Sequence, residues 1–545
     1  MLRQAWLRLP TGAIGTRLIF QQELHLSTNR VRWTRGTGEG TRSVEPLARA
    51  ARALRARRST IFLNLLPRFE PLSEEALATI DGGVDRLAAT VGVQFDHPEA
   101  LALFREAGQS VDGDTVRFDP GFLRAQAALA PPKFRLHARN PERSLDVGGE
   151  AMVFGAVQGP PFVRRGGERR DGTLEDLEDL LRLVQQTEAI DTPGRSMLEP
   201  NDVALDVRHL VRALASIRMT DRVWAGEASS TEAALDCLRL AEIVFGGAEA
   251  IAADPVVFAN CNVNSPLRFD VRMLEGILAY ARAGQAVIIT PFLLMGAMAP
   301  VSVPAALVQQ TVEALAGVAL TQLVRPGVPC VMGSFLSSTD MKNGSPAFGG
   351  PESAVGLHAS GQIARRIGLP WRSGGGGLTA SPALDFQAGY EAMNTLQSAF
   401  LAGANVVWQT TGWLEGGLVT SHAKFVADAE LLDLLLKQFA PLEVDDASLA
   451  LDAHVEVGHG GHFFGCEHTL ARFRECFWRP TVATTDNFDR WTRGGMLDHA
   501  ARCEARVGEL LAGYVRPPLD EAIEEQLVEF VERRSTELGD PLRVA

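Results

Sequence analysis

The segment VVFANCNVNSPLRFDVRMLEGILAYARAGQAVIIT, residues 256–290, decides the fold class. It opens with a short apolar run, Val256–Asn262, and closes with a second apolar run, Ala286–Thr290. Between them Asp270–Ala283 carries apolar residues at helical spacing, with an Asp as candidate N-cap and Gly284 as candidate C-terminal glycine. Strand, helix and strand in this order predict a βαβ unit with two parallel strands.

The same unit repeats along most of the chain and predicts an α/β fold built as a (β/α)8 TIM barrel. Closure of eight parallel strands leaves no exposed strand edge. An open doubly wound sheet is the alternative, but no Gly-rich GxGxxG turn follows any strand. The predicted strands are Ala151–Gln158, Arg195–Leu198, Ser216–Thr220, Val256–Asn262, Ala286–Thr290, Pro329–Phe335, Pro370–Ser373 and Asn405–Gln409. The predicted helices are Leu174–Glu188, Asp202–Leu214, Thr231–Ala248, Asp270–Ala283, Pro304–Leu323, Glu352–Ile367, Asp385–Leu401 and Ala423–Phe439.

The rest of the chain flanks the barrel, which we assign to residues 150–440. We expect residues 1–45 to be a disordered leader, because they are rich in Arg and lack apolar periodicity. Residues 46–149 are predicted to form an N-terminal helical segment, and residues 441–545 a C-terminal helical extension packed on the barrel.

Charge and cysteine content exclude several partners. Residues 1–58 hold twelve Arg and three Glu, about +9, so a net charge of −13 leaves about −22 on the remainder. An acidic body argues against nucleic acid as a partner. No uninterrupted apolar run reaches the roughly 18 residues of a membrane span, so we expect no membrane partner. The six Cys form no CxxC pair and predict free thiols in a cytoplasmic protein.

Barrel active sites lie at the C-terminal ends of the strands, and this chain places amides, hydroxyls, aromatic rings and a few acids there. No Lys ends a strand, which argues against Schiff-base chemistry, and no GxSxG elbow is present. Such a lining suits a cationic or zwitterionic organic molecule. The candidate catalytic residues are Asp385, Glu415 and Gln409; for Asp385, helix capping is an equal alternative. The candidate substrate-binding residues are Phe292, Phe335, Asp340, Trp413 and His422.

A cluster of ligand-type side chains over His454–His468 supplies an alternative function. Its spacing fits neither a zinc finger nor a helical HExxH motif, so we predict no metal there. A metal-dependent TIM-barrel hydrolase or lyase that uses this cluster remains the alternative. Its members are His454, His459, His462, Cys466, Glu467 and His468.

A set of short motifs, from about residue 50 to the C-terminus, resembles the trimethylamine methyltransferase family. Each motif is weak alone, and together they are fairly specific. They are Gly333-Ser334-Phe335, Thr339-Asp340-Met341, Pro346-Ala347-Phe348-Gly349, Pro351-Glu352, Asp385-Phe386-Gln387-Ala388-Gly389-Tyr390-Glu391, Ala402-Gly403-Ala404-Asn405, Gly461-His462-Phe463 and His468-Thr469.

The resemblance implies a barrel that moves a methyl group from a methylated amine to the Co(I) corrinoid of a separate carrier protein. It implies no permanently bound cofactor, because the partner supplies the corrinoid. Founding members carry pyrrolysine; this chain shows none, and therefore resembles the branch associated with quaternary amines such as glycine betaine. Association between copies of the chain is left open. A non-catalytic betaine-binding protein is the second alternative.

Overall fold

A curled parallel sheet forms the centre of the computed structural model, which describes residues 61–544. The leader predicted over residues 1–45 lies outside the described residues. Each strand of the central row runs parallel to its neighbour, as the βαβ spacing predicts. In spatial order these strands are Ala225–Gly226, Phe258–Asn262, Ala286–Thr290, Cys330–Gly333, Trp371–Ser373, Val406–Val407 and Ala151–Phe154.

The two ends of this row approach each other through residues 192–194. Gly155, just after the last strand of the row, makes a parallel bridge with Thr192, and Gly194 makes one with Trp224, just before the first strand. The sheet is therefore curled rather than flat. Antiparallel strands extend or join it at Ala151–Phe154, namely Leu145–Gly148, Lys133–Leu136 and Phe62–Leu63.

Helices alternate with the strands along the chain and pack on the outside of the sheet. The caps explain where several of them start and stop. Asp270 accepts a hydrogen bond from the backbone N–H of Met273 at 2.9 Å, and Gly368 and Gly403 end two helices with φ of 87° and 70°. The helices of this layer are Leu174–Gln186, Arg208–Met219, Thr231–Phe245, Ala248–Ala253, Val271–Arg282, Val303–Val324, Pro351–Ile367, Phe386–Ala402 and His422–Gln438.

The inner face of the sheet has an apolar core of its own. Successive strand residues point to opposite faces, so alternate residues fill the interior. Ala286 and Ile288 show this spacing on one strand, and Val406 and Trp408 show it at another. Further members of this inner core are Val153, Val223, Ala225, Phe258 and Val331.

Smaller elements surround the central sheet. The chain before it contains strands as well as the predicted helices. The helices there are Glu74–Thr90, Pro98–Glu106, Phe122–Ala127 and the 3-10 turn Pro141–Arg143. The strands Val93–Phe95, Ser110–Asp112 and Thr115–Arg117 form a small sheet with Arg268–Phe269.

Two more small sheets follow the ends of the central strands. One contains Leu293–Met295, Leu336–Thr339 and Pro346–Ala347, and the other contains Trp413–Leu414, Val419–Ser421, Phe162–Arg165 and Glu168–Asp171. The 3-10 turns Glu415–Gly417 and Phe463–Gly465 lie in connecting loops. The C-terminal helices are Asp446–Leu449, Leu451–Val457, Glu467–Cys476, Phe488–Arg493, His499–Ala512 and Glu521–Glu537.

Two predicted strands are wrong. Ser216–Thr220 belongs to the end of helix Arg208–Met219, because the buried Leu210, Leu214 and Ile217 continue a helical spacing. No strand forms over Arg195–Leu198 either, although the bridges of Thr192 and Gly194 lie just before it. The strand that the sequence missed is Ala225–Gly226, whose small residues have no strand preference.

Helix Val303–Val324 has the length and apolar composition that a membrane crossing would need, the one such helix within residues 61–544. Inside the protein, 78% of its apolar window is buried. It packs against helices Glu74–Thr90 and Phe122–Ala127, so its apolar residues form part of the core.

We predict that Gly333→Ala lowers the free energy of unfolding by about 1–3 kcal/mol. An added Cβ would lie 2.4 Å from the carbonyl oxygen of Ile289 and 2.9 Å from the Cα of Thr290, so backbone atoms would have to move. Gly389→Ala is the matched control, because no atom lies within 4 Å of its added Cβ and Ala favours the helix by about 1 kcal/mol. Thermal unfolding followed by circular dichroism measures both variants. Equal melting temperatures for Gly333→Ala and the wild type would contradict this packing.

Candidate functional site

A cavity of about 330 Å³ opens at the C-terminal ends of the central strands. This is the end of a parallel sheet where ligands bind in barrel and open α/β folds. Its walls combine aromatic rings, amides, hydroxyls and three charged groups. The lining residues are Gln158, Gly159, Arg195, Ala225, Glu227, Ala228, Ser229, Asn260, Asn262, Met273, Thr290, Phe292, Phe335, Arg372, Trp408, Gln409 and Trp413.

The strand alternation that builds the inner core also builds the cavity. Asn260 comes two residues after the inner-core Phe258, and Thr290 comes two after Ile288. Both side chains therefore face inward, one level nearer the mouth. Thr290 donates its hydroxyl to the side-chain oxygen of Asn260 at 2.8 Å, and Asn260 donates to the side-chain oxygen of Asn262 at 3.0 Å. The inner face changes from apolar to polar at this level.

Four aromatic rings cluster on one side of the mouth. Phe335 lies 4.7 Å from Phe292 and 6.1 Å from Trp413 between ring centroids. Phe348 packs edge-on against Phe335 and Trp413, at 5.5 and 5.3 Å. The indole N–H of Trp413 donates to the carbonyl oxygen of Thr379 at 3.1 Å, which fixes the ring. The cluster thus brings together three residues that the sequence indicated for substrate binding, and adds Phe348 behind them.

Gln409 fixes a second loop at the cavity. Its backbone has a positive φ of 60°, and its side-chain oxygen accepts from the backbone N–H of Gln158 at 2.7 Å. The side-chain oxygen of Gln158 in turn accepts from the backbone N–H groups of Arg195 and Ser196. Gln409 therefore connects the loops that follow two strands, and it lines the cavity.

A buried ion cluster forms the wall beside this loop. The Arg195 guanidinium donates to both carboxylate oxygens of Glu227, at 2.9 and 2.8 Å, and Arg212 donates to the same carboxylate from behind. Burial alone would raise the pKa of Glu227, but Arg195 and Arg212 outweigh it and lower the pKa to about 2. Arg212 also pairs with Glu199. Glu227 is therefore ionised and engaged.

Arg372 is a buried cation of a different kind. It is 3% exposed, and Nη1 donates to the carbonyl oxygen of Ser334 at 3.0 Å. Within residues 61–544 no carboxylate pairs with it, and its Nε has no acceptor. Burial lowers the pKa of Arg372 to about 9, so the group stays charged at neutral pH. The guanidinium carbon lies 5.9 Å from the centroid of the Phe335 ring.

Asp385 and Glu415, the other two predicted catalytic residues, lie outside the cavity lining. Asp385 is exposed and caps helix Phe386–Ala402 by accepting from the backbone N–H of Ala388 at 2.9 Å. Glu415 forms an ion pair with Arg169 at 2.9 Å.

Asp340 and His422, predicted to bind substrate, are also absent from the lining. Asp340 accepts from the backbone N–H of Lys342 and from the side chain of Asn343, in a surface turn. His422 is buried at the start of helix His422–Gln438, and burial lowers its pKa to about 4. The imidazole is therefore neutral at pH 7.

The His454–His468 cluster does not form a ligand shell. Within residues 61–544, no group of three or more His, Cys, Asp or Glu side chains is arranged to hold a metal ion. His454 instead packs edge-on against Phe463 at 5.3 Å, and His462 packs against Phe464 at 5.9 Å.

Sequence reasoning missed the charged walls of the cavity. Glu227 follows the strand Ala225–Gly226, which was placed too early in the chain, so its position at a strand end went unrecognised. Arg372 lies inside a correctly predicted strand. Its signal was available, because a charged residue in the middle of a buried parallel strand must face either a partner or a ligand.

We predict that Glu227→Gln lowers the free energy of unfolding by about 3–5 kcal/mol, because the buried Arg212 and the partly buried Arg195 would then share the single carboxylate of Glu199. The matched control is Glu509→Gln. Glu509 pairs with Arg506 at 2.7 Å but is 65% exposed, and such pairs contribute less than about 1 kcal/mol. Urea unfolding at pH 7 measures both.

Comparing the wild type with Glu227→Gln at different pH values tests whether Glu227 is ionised. Its folded pKa lies below the ordinary value of 4.5, so its contribution to stability is complete above about pH 4.5 and is lost as the pH falls toward 2. The stability difference between wild type and Glu227→Gln should therefore shrink over that range. A difference independent of pH from 7 to 3 would contradict an ionised Glu227.

Comparison with known proteins agrees with this architecture. Monomethylamine methyltransferase (MtmB) of Methanosarcina barkeri superposes with a TM-score of 0.50 at 10% sequence identity, over 83% of this chain and 90% of that one. A hydroxylamine complex of MtmB gives a TM-score of 0.51 with the same coverage. At this identity the likeness concerns the fold alone, which is a mixed α/β fold with a curled sheet, similar to TIM-barrel methyltransferases.

Sequence relatives are much nearer. The glycine betaine methyltransferase of Desulfitobacterium hafniense (strain Y51) is 38% identical over 477 residues, covering 87% of this chain and 99% of the relative. The trimethylamine methyltransferase MttB of D. hafniense (strain DSM 10664 / DCB-2) is 28% identical, over 86% and 94%. The proline betaine:corrinoid methyltransferase of Eubacterium limosum is 26% identical, over 80% and 91%. Residues 38–539 match the family model described as trimethylamine methyltransferase (MTTB). With its aromatic cavity at the C-terminal end of a curled parallel sheet, this chain belongs to the trimethylamine methyltransferase family.

Proposed function

We propose that this methyltransferase moves a methyl group from a quaternary methylated amine, such as glycine betaine, to the Co(I) corrinoid of a separate carrier protein. The observation that carries the proposal is the aromatic side of the cavity, formed by Phe292, Phe335 and Trp413. Aromatic faces attract an alkylated ammonium group, and this attraction needs no hydrogen bond from the ligand. The names of the relatives support the same substrate class and a corrinoid acceptor.

The transfer needs no proton. The bond between the methyl carbon and nitrogen breaks, and its electron pair remains on nitrogen as a neutral tertiary amine. The Co(I) centre of the acceptor supplies the electron pair of the new cobalt–carbon bond and becomes methyl-Co(III). A site for this reaction can therefore lack a free acid or base. The carboxylate among the lining residues, Glu227, is already held by Arg195 and Arg212.

The protein would orient the amine and exclude water from its cationic group. Holding the amine with one methyl group toward the acceptor converts a collision into a near-attack geometry. The cation loses its charge in the transition state, so a cavity that excludes water favours the reaction. Gln409 would act as a positioning residue, because it connects the loop of Gln158 to the cavity wall. Catalytic roles for Asp385 and Glu415, and substrate contacts for Asp340 and His422, stay predictions.

The architecture we propose for this activity is a closed eight-stranded barrel over residues 150–440, with residues 192–194 as its second strand. The bridges of Gly155 and Gly194 support it. Residues 46–149 and 441–545 would flank the barrel, and the carrier protein would present its corrinoid at the mouth without leaving it bound. Unpaired thiols at all six Cys suit a cytoplasmic location.

We predict that the purified protein, mixed with chemically reduced cobalamin and glycine betaine, converts Co(I) to methyl-Co(III). The absorbance change and the appearance of dimethylglycine by mass spectrometry measure the reaction. Binding of the betaine without methylation, even with the carrier protein present, would indicate the non-catalytic alternative. Hydrolysis that depends on a metal and is abolished by a chelator would indicate the metal-dependent alternative.

Substitutions of Trp413 test whether the aromatic side of the cavity binds the ammonium group. Replacing Trp413 by Leu should weaken glycine betaine binding about thirtyfold, since a desolvated cation–π contact contributes roughly 2 kcal/mol. Trp413→Phe is the matched control, because both variants lose the N–H that bonds Thr379 but Phe keeps an aromatic face. Isothermal titration calorimetry compares them. Equal affinities for the Leu and Phe variants would exclude Trp413 from the ammonium site.

A further inference from the structure

The cavity has a cationic side as well as an aromatic side. We propose that Arg372 and the indole N–H of Trp408 form an anion subsite that holds the carboxylate of the amine substrate. This inference rests on the proposed function. If these two residues bind the carboxylate, tight binding requires a substrate that carries one.

Arg372 reaches the cavity because of strand register. Within strand Trp371–Ser373 its neighbours in sequence face outward, and Gly333 on the adjacent strand is its partner in the ladder. The guanidinium donates a hydrogen bond to the carbonyl oxygen of Ser334, the residue that follows Gly333. The group lines the cavity while its surface is 97% covered.

A buried guanidinium without a counter-ion is costly. Proteins place buried charges beside an opposite charge or bind one from outside. The contrast lies in the same cavity: Arg195 is matched by Glu227, whereas no described carboxylate lies within ion-pair distance of Arg372. An incoming carboxylate would supply the missing partner, and the planar guanidinium suits its two oxygens.

Trp408 gives a second, independent observation. Its side chain is 2% exposed, it lines the same cavity, and its indole N–H has no acceptor among the described residues. Buried donors are nearly always satisfied, so an orphaned one beside a cavity points to a ligand acceptor. The ring is held in place by Gly155, where a Cβ would lie 2.2 Å from it, and by Phe258 at 5.3 Å.

The charges of the lining residues explain why binding should depend on both the carboxylate and the ammonium group of the ligand. Arg195 and Glu227 cancel, so Arg372 leaves one positive charge on the walls. A cation without a carboxylate, such as choline, would be repelled by this positive charge. A zwitterion neutralises it with the carboxylate and presents the ammonium to the rings of Phe335 and Trp413. The Phe335 ring lies within 5.9 Å of Arg372, so the two charges of the ligand should be separated by a short chain.

Glycine betaine and choline test the subsite, because they share the trimethylammonium group and differ at the carboxylate. We expect the wild type to bind glycine betaine at least tenfold more tightly than choline in titration calorimetry. Arg372→Gln should weaken glycine betaine binding about a hundredfold and leave choline unchanged or tighter. Arg372→Lys should recover part of the loss, since it restores the charge without the planar fork.

A milder variant keeps the test decisive if Arg372→Gln fails to fold. Trp408→Phe removes the N–H and keeps the ring, and should weaken glycine betaine about tenfold with no effect on choline. A wild type that binds both ligands equally, with unchanged ratios in the variants, would overturn the subsite and leave the proposed function intact. Binding of neither ligand by the wild type would overturn the proposed function, and the subsite with it.

Discussion

The parallel register of the central sheet is the constraint on which the site depends. Alternate residues of each strand must face inward, and on the lower level they are apolar, as Phe258, Ile288 and Val406 are. Two residues further along each strand, the inward residues line the cavity: Asn260, Thr290 and Trp408. The same geometry thus produces a dry core below and a polar, aromatic cavity above. A slip of one residue in any strand would bury a polar group in the core and remove a wall of the cavity.

Glycine makes the large side chains of this interior compatible with close strands. Trp408 lies directly over Gly155, where an added Cβ would lie 2.2 Å from the indole ring, and a Cβ added at Gly333 would lie 2.4 Å from the carbonyl oxygen of Ile289. The bulk of Trp408 in the cavity wall is therefore accommodated by a glycine at the end of the adjacent strand. The same arrangement limits movement, because an indole ring packed this closely on Gly155 cannot change rotamer without displacing its neighbours. A rigid wall suits a reaction in which position supplies most of the acceleration.

The sequence indicates the strong strands well and the weak ones poorly. Runs such as Ala286–Thr290 are buried on both faces, so their continuous apolar character predicts a strand unaided. Three candidate residues that follow such strands line the cavity, namely Phe292, Phe335 and Gln409. Ala225–Gly226 carries no such signal, because two small residues are held in the sheet by their neighbours and not by their own preference. Because that strand was not predicted, the position of Glu227 at a strand end was not recognised.

A second kind of failure concerns loops. Glu415 and His422 follow a strand end in sequence, which makes them candidates for the mouth. The chain between them forms an antiparallel pair, Trp413–Leu414 with Val419–Ser421, whose second strand joins Phe162–Arg165. This hairpin keeps Trp413 at the cavity and carries the later residues outside its lining. Periodicity cannot predict such a turn, since it depends on tertiary pairing with a strand 257 residues away in the chain.

The distribution of charge follows from the chemistry proposed for the cavity. A general acid or base needs a carboxylate or imidazole that can exchange a proton, and therefore one not already saturated by ion pairs. Glu227 is saturated, with its pKa near 2, so it cannot serve as a base at neutral pH, and its role is to neutralise and orient two arginines. Among the described residues that line the cavity, Arg372 and Trp408 keep N–H groups without an acceptor. The groups that remain available are thus those to which we assign the binding of a zwitterion. That is what a methyl transfer without proton transfer requires of its protein.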